Sequence, residues 1–161
     1  MYRIKEYEDK NENVKIFVDE EVTKVNNFVI SIFVDEYGFE ECRKELEEQC
    51  YSDYMQDNGK LWIAINEEED IIGTIAIKQY NQNEAELKRL YVRKDYRGKG
   101  LANELYENFI AQAKENSIKR IFLGTYDKLD SAIKFYKKRG FNQIEELNDE
   151  LNGARYFELY V

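Results

Sequence analysis

A strand, a glycine-containing turn and a long amphipathic helix follow one another over residues 85–116, and this unit constrains the fold more than any other segment. The strand, residues 85–92, is rich in leucine and valine. The helix, residues 100–116, carries four apolar residues at intervals of four: Leu101, Leu105, Phe109 and Ala113. That spacing gives the helix one apolar face, which must be buried against another layer. The unit therefore predicts a sheet covered by helices.

The rest of the chain supplies strands and helices on both sides of this unit. The other predicted strands are residues 2–6, at the sheet edge, and residues 61–65, 71–77, 120–125, 141–145 and 155–161. The other predicted helices are residues 20–34, 40–51 and 130–139, the last with Asp130 as N-cap and Gly140 at its C-terminal end. Residues 7–13 are expected to form a loop, and residues 61–92 an antiparallel meander. The mixed order predicts a single α/β (α+β) domain spanning residues 1–161.

The composition excludes several functional classes. The chain has 161 residues, no histidine, two cysteines and a formal net charge of −9. Without histidine, a Ser-His or Cys-His nucleophile and a His-ligated zinc site are excluded within one chain, and we expect no metal. The acidity argues against a nucleic-acid partner. No apolar run reaches the roughly 20 residues that span a bilayer, and the first residues lack the apolar run of a signal peptide, so we expect a cytoplasmic protein with no membrane partner.

The turn between the strand and the long helix has the features of an anion site. Gly98 and Gly100 allow positive φ and close backbone approach, and the helix that follows begins with unpaired amides and a partial positive charge. Two better-known phosphate loops fit badly. The Rossmann pattern needs glycine at Asn103, and the glycine-lysine-serine/threonine ending of the P-loop is missing, because Leu101 follows Lys99-Gly100. Taken alone, the turn also fits a glycine-containing helix entry that binds no ligand.

Residues 84–146 resemble the GCN5-related N-acetyltransferase (GNAT) family, on the pattern Arg97, Gly100, Ala102 and on the strands and helix around it. The resemblance implies a seven-strand mixed, mostly antiparallel sheet with about four helices, splayed open beside the strand that ends at Val92. It also implies that acetyl-CoA, the cosubstrate, lies in this gap. The pantetheine arm would pair with the backbone of Leu90, Tyr91 and Val92. The pyrophosphate would take the amides of Arg97, Gly98, Lys99, Gly100, Leu101 and Ala102.

The resemblance also implies which residues act as general acid and general base. Glu86 stands six residues before Val92, where several family members place their catalytic glutamate, and the alternative is a strand glutamate paired with Lys88 or Arg89. Tyr136 matches the tyrosine that approaches the CoA sulfur as general acid, and the alternative is an aromatic residue of the core. The sequence departs from the family at Leu129, where many members have asparagine, so the contact to the pantetheine arm is in doubt there.

The expected function is transfer of an acetyl group from acetyl-CoA to a primary amine of a small molecule or a protein. The acceptor site of this family usually includes the first two helices, where residues 35–57 carry a net charge of −7 from nine acidic and two basic residues. A cationic acceptor steered by Glu36, Glu40 and Glu41 is one hypothesis, and a solvated acidic helix face is the other. Two further alternatives are a non-catalytic acyl-CoA-binding sensor and an interaction domain. The family often dimerises, so a homodimer is one alternative, but the sequence does not fix the oligomeric state.

Overall fold

One sheet organises the molecule. The computed structural model describes residues 1–7, 20–51, 54 and 56–161, without the side chains of residues 20 and 21. In this part of the chain seven strands are found: β1 (Tyr2–Glu6), β2 (Lys60–Asn66), β3 (Ile71–Gln79), β4 (Glu84–Val92), β5 (Arg120–Tyr126), β6 (Asn142–Gln143) and β7 (Ala154–Tyr160). Their order across the sheet is β1-β2-β3-β4-β5-β7-β6. The predicted edge strand and meander are confirmed, because β1 to β4 are antiparallel neighbours.

Four α-helices accompany these strands in the described residues. They are α1 (Glu20–Ile30), α2 (Arg43–Glu47), α3 (Leu101–Glu115) and α4 (Asp130–Lys138). A segment of wider helical turns, Ser31–Glu36, continues α1, so the helix predicted over residues 20–34 is confirmed with an irregular last part. The long helix of the strand-turn-helix unit agrees with the prediction to within one residue at each end. The loop expected over residues 7–13 lies outside the described residues after Tyr7.

The helix predicted over residues 40–51 is much shorter than expected. A single 3-10 turn, Glu40–Cys42, precedes α2, which ends at Glu47. The reason is a buried polar contact, because the side-chain amide of Asn26 donates to the carbonyl oxygens of Glu47 at 3.4 Å and Gln49 at 3.0 Å. These carbonyls are the orphan acceptors of a helix C-terminus, and satisfying them from α1 ends the helix there.

Two predictions about the segment around α4 are corrected. Asp130 is not the N-cap, since Leu129 holds that position without a side-chain hydrogen bond, and Asp130 instead pairs with Lys134 one turn later at 2.7 Å. The strand predicted over residues 141–145 is reduced to β6, because residues 145–147 form a 3-10 turn. Gly140 does end the helix as predicted, with a φ of +86° that suits glycine.

The sheet separates two apolar layers and opens between two central strands. On one face, α3 and α4 cover a core that includes Leu105 and Phe109. On the other face, α1 and its continuation cover a second core that includes Val29. Strands β4 and β5 are parallel and pair only at their first residues, Glu84–Glu86 with Arg120–Phe122. Past these pairs the two strands diverge, and this gap positions the candidate site.

Candidate active site

A cavity of about 920 Å³ fills the gap between the diverging ends of β4 and β5. Its walls come from β4, the turn before α3, the first residues of α3, the end of β5 and one face of α4. The segment Ser31–Glu36 and α2 close it on the opposite side of the sheet through Phe33, Cys42 and Leu46. The cavity therefore crosses the sheet and has one end in each layer, which suits a site where two substrates meet.

The turn before α3 presents open backbone to the cavity. Gly98 and Gly100 have φ values of +72° and +91°, and a Cβ atom built on either glycine would meet no atom within 4 Å. No side chain caps α3, whose N-cap residue is Gly100. Uncapped amides at a helix N-terminus next to two left-handed glycines form a concave group of donors suited to a phosphate.

Seven of the nine predicted cofactor-binding residues line the cavity: Leu90, Tyr91, Val92, Arg97, Gly98, Gly100 and Ala102. The other two point elsewhere. Leu101 is buried in the core under α3, and the Lys99 ammonium lies 5.7 Å from the ring centroid of Tyr96. Their backbone amides belong to the same turn, so their predicted role concerns the backbone alone.

The Arg97 side chain holds the turn to two other elements. Its Nε donates to the carbonyl oxygen of Val92 at 2.8 Å, and its guanidinium is paired bidentately with Glu36, with Nη2 and Oε2 at 2.7 Å. This pair holds the pKa of Glu36 below its ordinary value, chiefly through the hydrogen bond from Arg97. The arginine of the sequence pattern thus connects β4, the turn and the end of the first helical segment.

A bulge in β4 changes which side chains face the layer of α1 and α2 in the cavity. Thr74 of β3 stands opposite Tyr91 and Ala76 stands opposite Lys88, so one residue of β4 is extra, and Arg89 has a φ of +57° there. The Thr74 hydroxyl donates to the Arg89 carbonyl at 2.6 Å and fixes the bulge. As a result Lys88 and Arg89 both leave the strand toward the layer of α1 and α2.

Glu86 lies on that same face of β4 and lines the cavity. Its side chain is 16% exposed, and each carboxylate oxygen has one partner: the Tyr80 hydroxyl donates to Oε2 at 2.8 Å and the Lys88 ammonium to Oε1 at 3.3 Å. The pairing with Lys88 that the sequence left open is therefore present together with the position in the cavity. A carboxylate has about four acceptor sites, so Glu86 retains capacity for an amine or a water.

Tyr136 lines the cavity from α4 and is 5% exposed. Its ring packs between Phe135 and Phe141, with centroid distances of 5.8 and 5.7 Å. No hydrogen bond to its hydroxyl is found among the described residues. Burial raises the pKa of Tyr136 far above that of an ordinary phenol, so the hydroxyl keeps its proton at neutral pH. The ring belongs to the core and the residue also borders the cavity, so the role of Tyr136 as general acid stays a prediction.

Two arginines of the cavity wall were not predicted as site residues. Arg139 stacks on Phe135, with its guanidinium carbon 3.3 Å from the ring centroid, and donates to the Asn103 side chain at 2.5 Å. Arg89 lies between the phenols of Tyr51, Tyr54 and Tyr91, and its Nη2 donates to Gln49 Oε1 at 3.3 Å. Neither role has a sequence signal, because both depend on contacts between distant segments.

Within the residues that the structure describes, no three histidine, cysteine, aspartate or glutamate side chains are grouped so that they could bind a metal ion. The described helices also include none with the length and apolar character required to cross a membrane.

Solved structures share this fold over nearly the whole chain. A GNAT-family acetyltransferase from Staphylococcus aureus is 28% identical, with a TM-score of 0.80 over 99% of each chain. A structure from Bacillus anthracis, determined in complex with acetyl coenzyme A, is 29% identical, with a TM-score of 0.58 over 71% of this chain and 69% of that one. The fold is thus shared with acetyltransferases, one of them determined with acetyl coenzyme A bound.

The family model described as "Acetyltransferase (GNAT) family" matches residues 26–141. This chain belongs to the GNAT acetyltransferase family, whose cosubstrate is acetyl-CoA. An uncharacterized N-acetyltransferase of Mycobacterium bovis is 28% identical over 68% of this chain and 65% of its own length. Other curated relatives are named N-acetylaspartate synthetase, from Danio rerio, and streptothricin acetyltransferase A, from Bacillus subtilis. The matched part of the chain spans between about a third and two thirds of these relatives' lengths, from 34% to 65%.

Proposed function

We propose that this chain transfers the acetyl group of acetyl-CoA to a primary amine by direct attack inside the cavity between β4 and β5. One observation carries the proposal: a single cavity is lined by the uncapped turn at Gly98 and Gly100, by Tyr136 and by Glu86. The pyrophosphate would bind the amides of the turn, and the pantetheine arm would follow the backbone of Leu90 to Val92, which is unpaired on the β5 side.

The acceptor would reach the thioester from the layer of α1 and α2, where Glu86 faces the cavity. Loss of a proton from its ammonium group, to Glu86 directly or through a water, exposes the nitrogen lone pair. Attack on the thioester carbonyl forms the C–N bond and a tetrahedral oxyanion. When the carbonyl re-forms, the C–S bond breaks, and the sulfur leaves with the electron pair and a proton from Tyr136. After the attack the nitrogen still carries one proton too many for an amide and releases it to solvent. Tyr136 then recovers a proton from solvent, and Glu86 returns its own proton to solvent.

Tyr136 suits the role of donor because burial keeps it protonated. Its raised pKa also makes full transfer to a thiolate unfavourable in the ground state, since an ordinary thiol has a pKa near 8.5. Donation must therefore coincide with C–S bond breaking, when the sulfur gains charge and accepts a short hydrogen bond. The rate enhancement from Tyr136 would then come from the position of its hydroxyl rather than from its acidity. Phenylalanine at this position would lack the hydroxyl and lose that enhancement.

A second candidate function, a non-catalytic acyl-CoA sensor, is favoured by the contacts of Glu86. The hydroxyl of Tyr80 and the ammonium of Lys88 already occupy both of its oxygens. A sensor needs the turn and the pantetheine path but no base. The named relatives do not select the acceptor, because N-acetylaspartate synthetase and streptothricin acetyltransferase A are named for chemically different amines.

The test is release of CoA thiol from acetyl-CoA in the presence of a panel of amines, with the acetylated product identified by mass spectrometry. The panel contains amino acids, polyamines, aminoglycosides and lysine-containing peptides. Acetylation of at least one amine, lost in Tyr136→Phe, supports the transferase. Binding of acetyl-CoA without acetylation of any amine supports the sensor and contradicts the transferase.

A further inference from the structure

We infer that Arg89 binds a carboxylate of the acceptor, so that the acceptor is a small primary amine that also carries a carboxylate, such as an amino acid. This inference rests on the proposed acetyl transfer and names its substrate class. It starts from one residue of β4 that borders the cavity yet has too few partners for its charge.

The strained backbone at Arg89 directs its side chain toward the layer of α1 and α2. A φ of +57° is unusual for a residue other than glycine, and it occurs at the bulge that turns Arg89 toward the same layer as Glu86. Such outliers cost free energy and persist at sites where the conformation serves a function. Without the bulge, strand alternation would place residue 89 on the opposite face, under α3.

The guanidinium of Arg89 is enclosed but not compensated. Its Nε is inaccessible to solvent and has no hydrogen-bond partner, and the polar groups that the described residues offer to the guanidinium are neutral: Gln49 Oε1 at 3.3 Å and the nearby hydroxyl of Tyr51. No carboxylate of the described chain pairs with it, although the nearby arginines Arg43, Arg93 and Arg97 all have carboxylate partners. A guanidinium offers five donors in a planar fork that matches a carboxylate.

The surrounding groups favour a carboxylate over other anions or a second charged side chain. The guanidinium is largely buried near the phenols of Tyr51, Tyr54 and Tyr91, and burial strengthens a charge-assisted pair. Glu86 lies three residues earlier on the same strand and faces the same layer, so it can receive the ammonium group. Lys88 on the same wall is already paired with Glu86, so Arg89 is the positive group left for the carboxylate of a zwitterion, and Glu86 is the negative group for its ammonium.

The experiment compares amino acids with the amines that remain when the carboxylate is removed, for example phenylalanine with phenethylamine and lysine with cadaverine. The ratio of kcat/KM within each pair is measured for the wild type, Arg89→Gln, Arg89→Lys and Arg43→Gln. Arg43 is the matched control, because it also carries one positive charge near α2 but does not line the cavity.

The wild type should prefer the carboxylate-bearing member by at least about 10-fold, which corresponds to about 1.4 kcal/mol. Arg89→Gln should bring the ratio close to one through a higher KM, with the Kd of acetyl-CoA unchanged. Arg89→Lys keeps the charge without the planar fork, so its ratio should lie between those of the wild type and Arg89→Gln. This variant also tests the inference if Arg89→Gln does not fold. Arg43→Gln should keep the wild-type ratio.

A best acceptor without a carboxylate, or an equal loss of preference in Arg43→Gln, would overturn the role of Arg89. If no amine is acetylated, the proposed transfer itself fails, and binding then decides the role of Arg89. In that case N-acetyl amino acids and the matching N-acetyl amines are titrated into the CoA complex of each variant. Tighter, Arg89-dependent binding of the carboxylates supports the inference, and equal binding of both series rejects it.

Discussion

Replacing Gly100 with alanine tests whether the turn before α3 binds the pyrophosphate. A Cβ atom at Gly100 would meet no neighbour, so the whole cost of the substitution is the left-handed backbone at a φ of +91°. That conformation costs an alanine roughly 1–2 kcal/mol. The turn should relax to avoid this cost and withdraw its amides from the cavity, and the free energy of unfolding should fall by at most this amount.

Relaxation of the turn would remove one or more hydrogen bonds to phosphate, each worth about 1.5–3 kcal/mol when charge-assisted. The Kd of acetyl-CoA, measured by calorimetry, should therefore rise about 10- to 100-fold. S-acetylpantetheine lacks the pyrophosphate, and kcat/KM with this donor should remain at the wild-type value. Gly38→Ala is the matched control, because Gly38 has a φ of +83°, equally open surroundings and no place in the cavity wall.

Gly38→Ala should show a similar loss of stability with an unchanged Kd for acetyl-CoA. The reasoning about the turn would be refuted if Gly100→Ala binds acetyl-CoA like the wild type, or if both donors lose activity equally. Equal loss with both donors would mean that the substitution disturbs the thioester end of the cavity rather than a phosphate site.

Tyr136→Phe should lower kcat by roughly 100- to 10,000-fold with little change in KM. Tyr106 is a buried phenol outside the cavity, so Tyr106→Phe should keep full activity in the same steady-state assay. Glu86→Gln should cause a comparable loss of kcat/KM, which is partly relieved at high pH, where more of the amine is already deprotonated. Glu84→Gln on the same strand should not lower kcat/KM. The pH-rate profiles of both variants test this difference. Glu36→Gln should lower the Tm at pH 7. Because the folded-state pKa of Glu36 is below its ordinary 4.5, the difference in Tm between variant and wild type should shrink as the pH falls below about 4.5. A difference in Tm that stays constant down to pH 3 would show that the ion pair of Glu36 does not stabilise the fold.

Local sequence patterns were sufficient for the part of the fold that forms the cofactor side. Helix α3 follows from its apolar periodicity, and the end of α4 follows from Gly140, because both signals lie within a few residues of the structure they produce. The turn at Gly98 and Gly100 could be located for the same reason. These predictions needed no knowledge of which segments meet in space.

The features that the sequence did not predict depend on contacts between distant segments. The amide of Asn26 ends α2 from another helix, and Arg97 is paired with Glu36, which is 61 residues away. The bulge at Arg89 depends on how β3 and β4 align, so strand alternation alone would place this side chain on the wrong face. The proposed acceptor side of the cavity depends mostly on such contacts, so apart from Glu86 its residues could not be predicted from local patterns.

A crystal structure with bound acetyl-CoA tests the central claim most directly. The account predicts pyrophosphate oxygens at about 2.9 Å from amide nitrogens of the turn between Arg97 and Ala102. It also predicts the pantetheine arm beside Leu90 to Val92 and the thioester sulfur within hydrogen-bonding distance of the Tyr136 hydroxyl. Acetyl-CoA bound outside the gap between β4 and β5, or a sulfur remote from Tyr136, would contradict it.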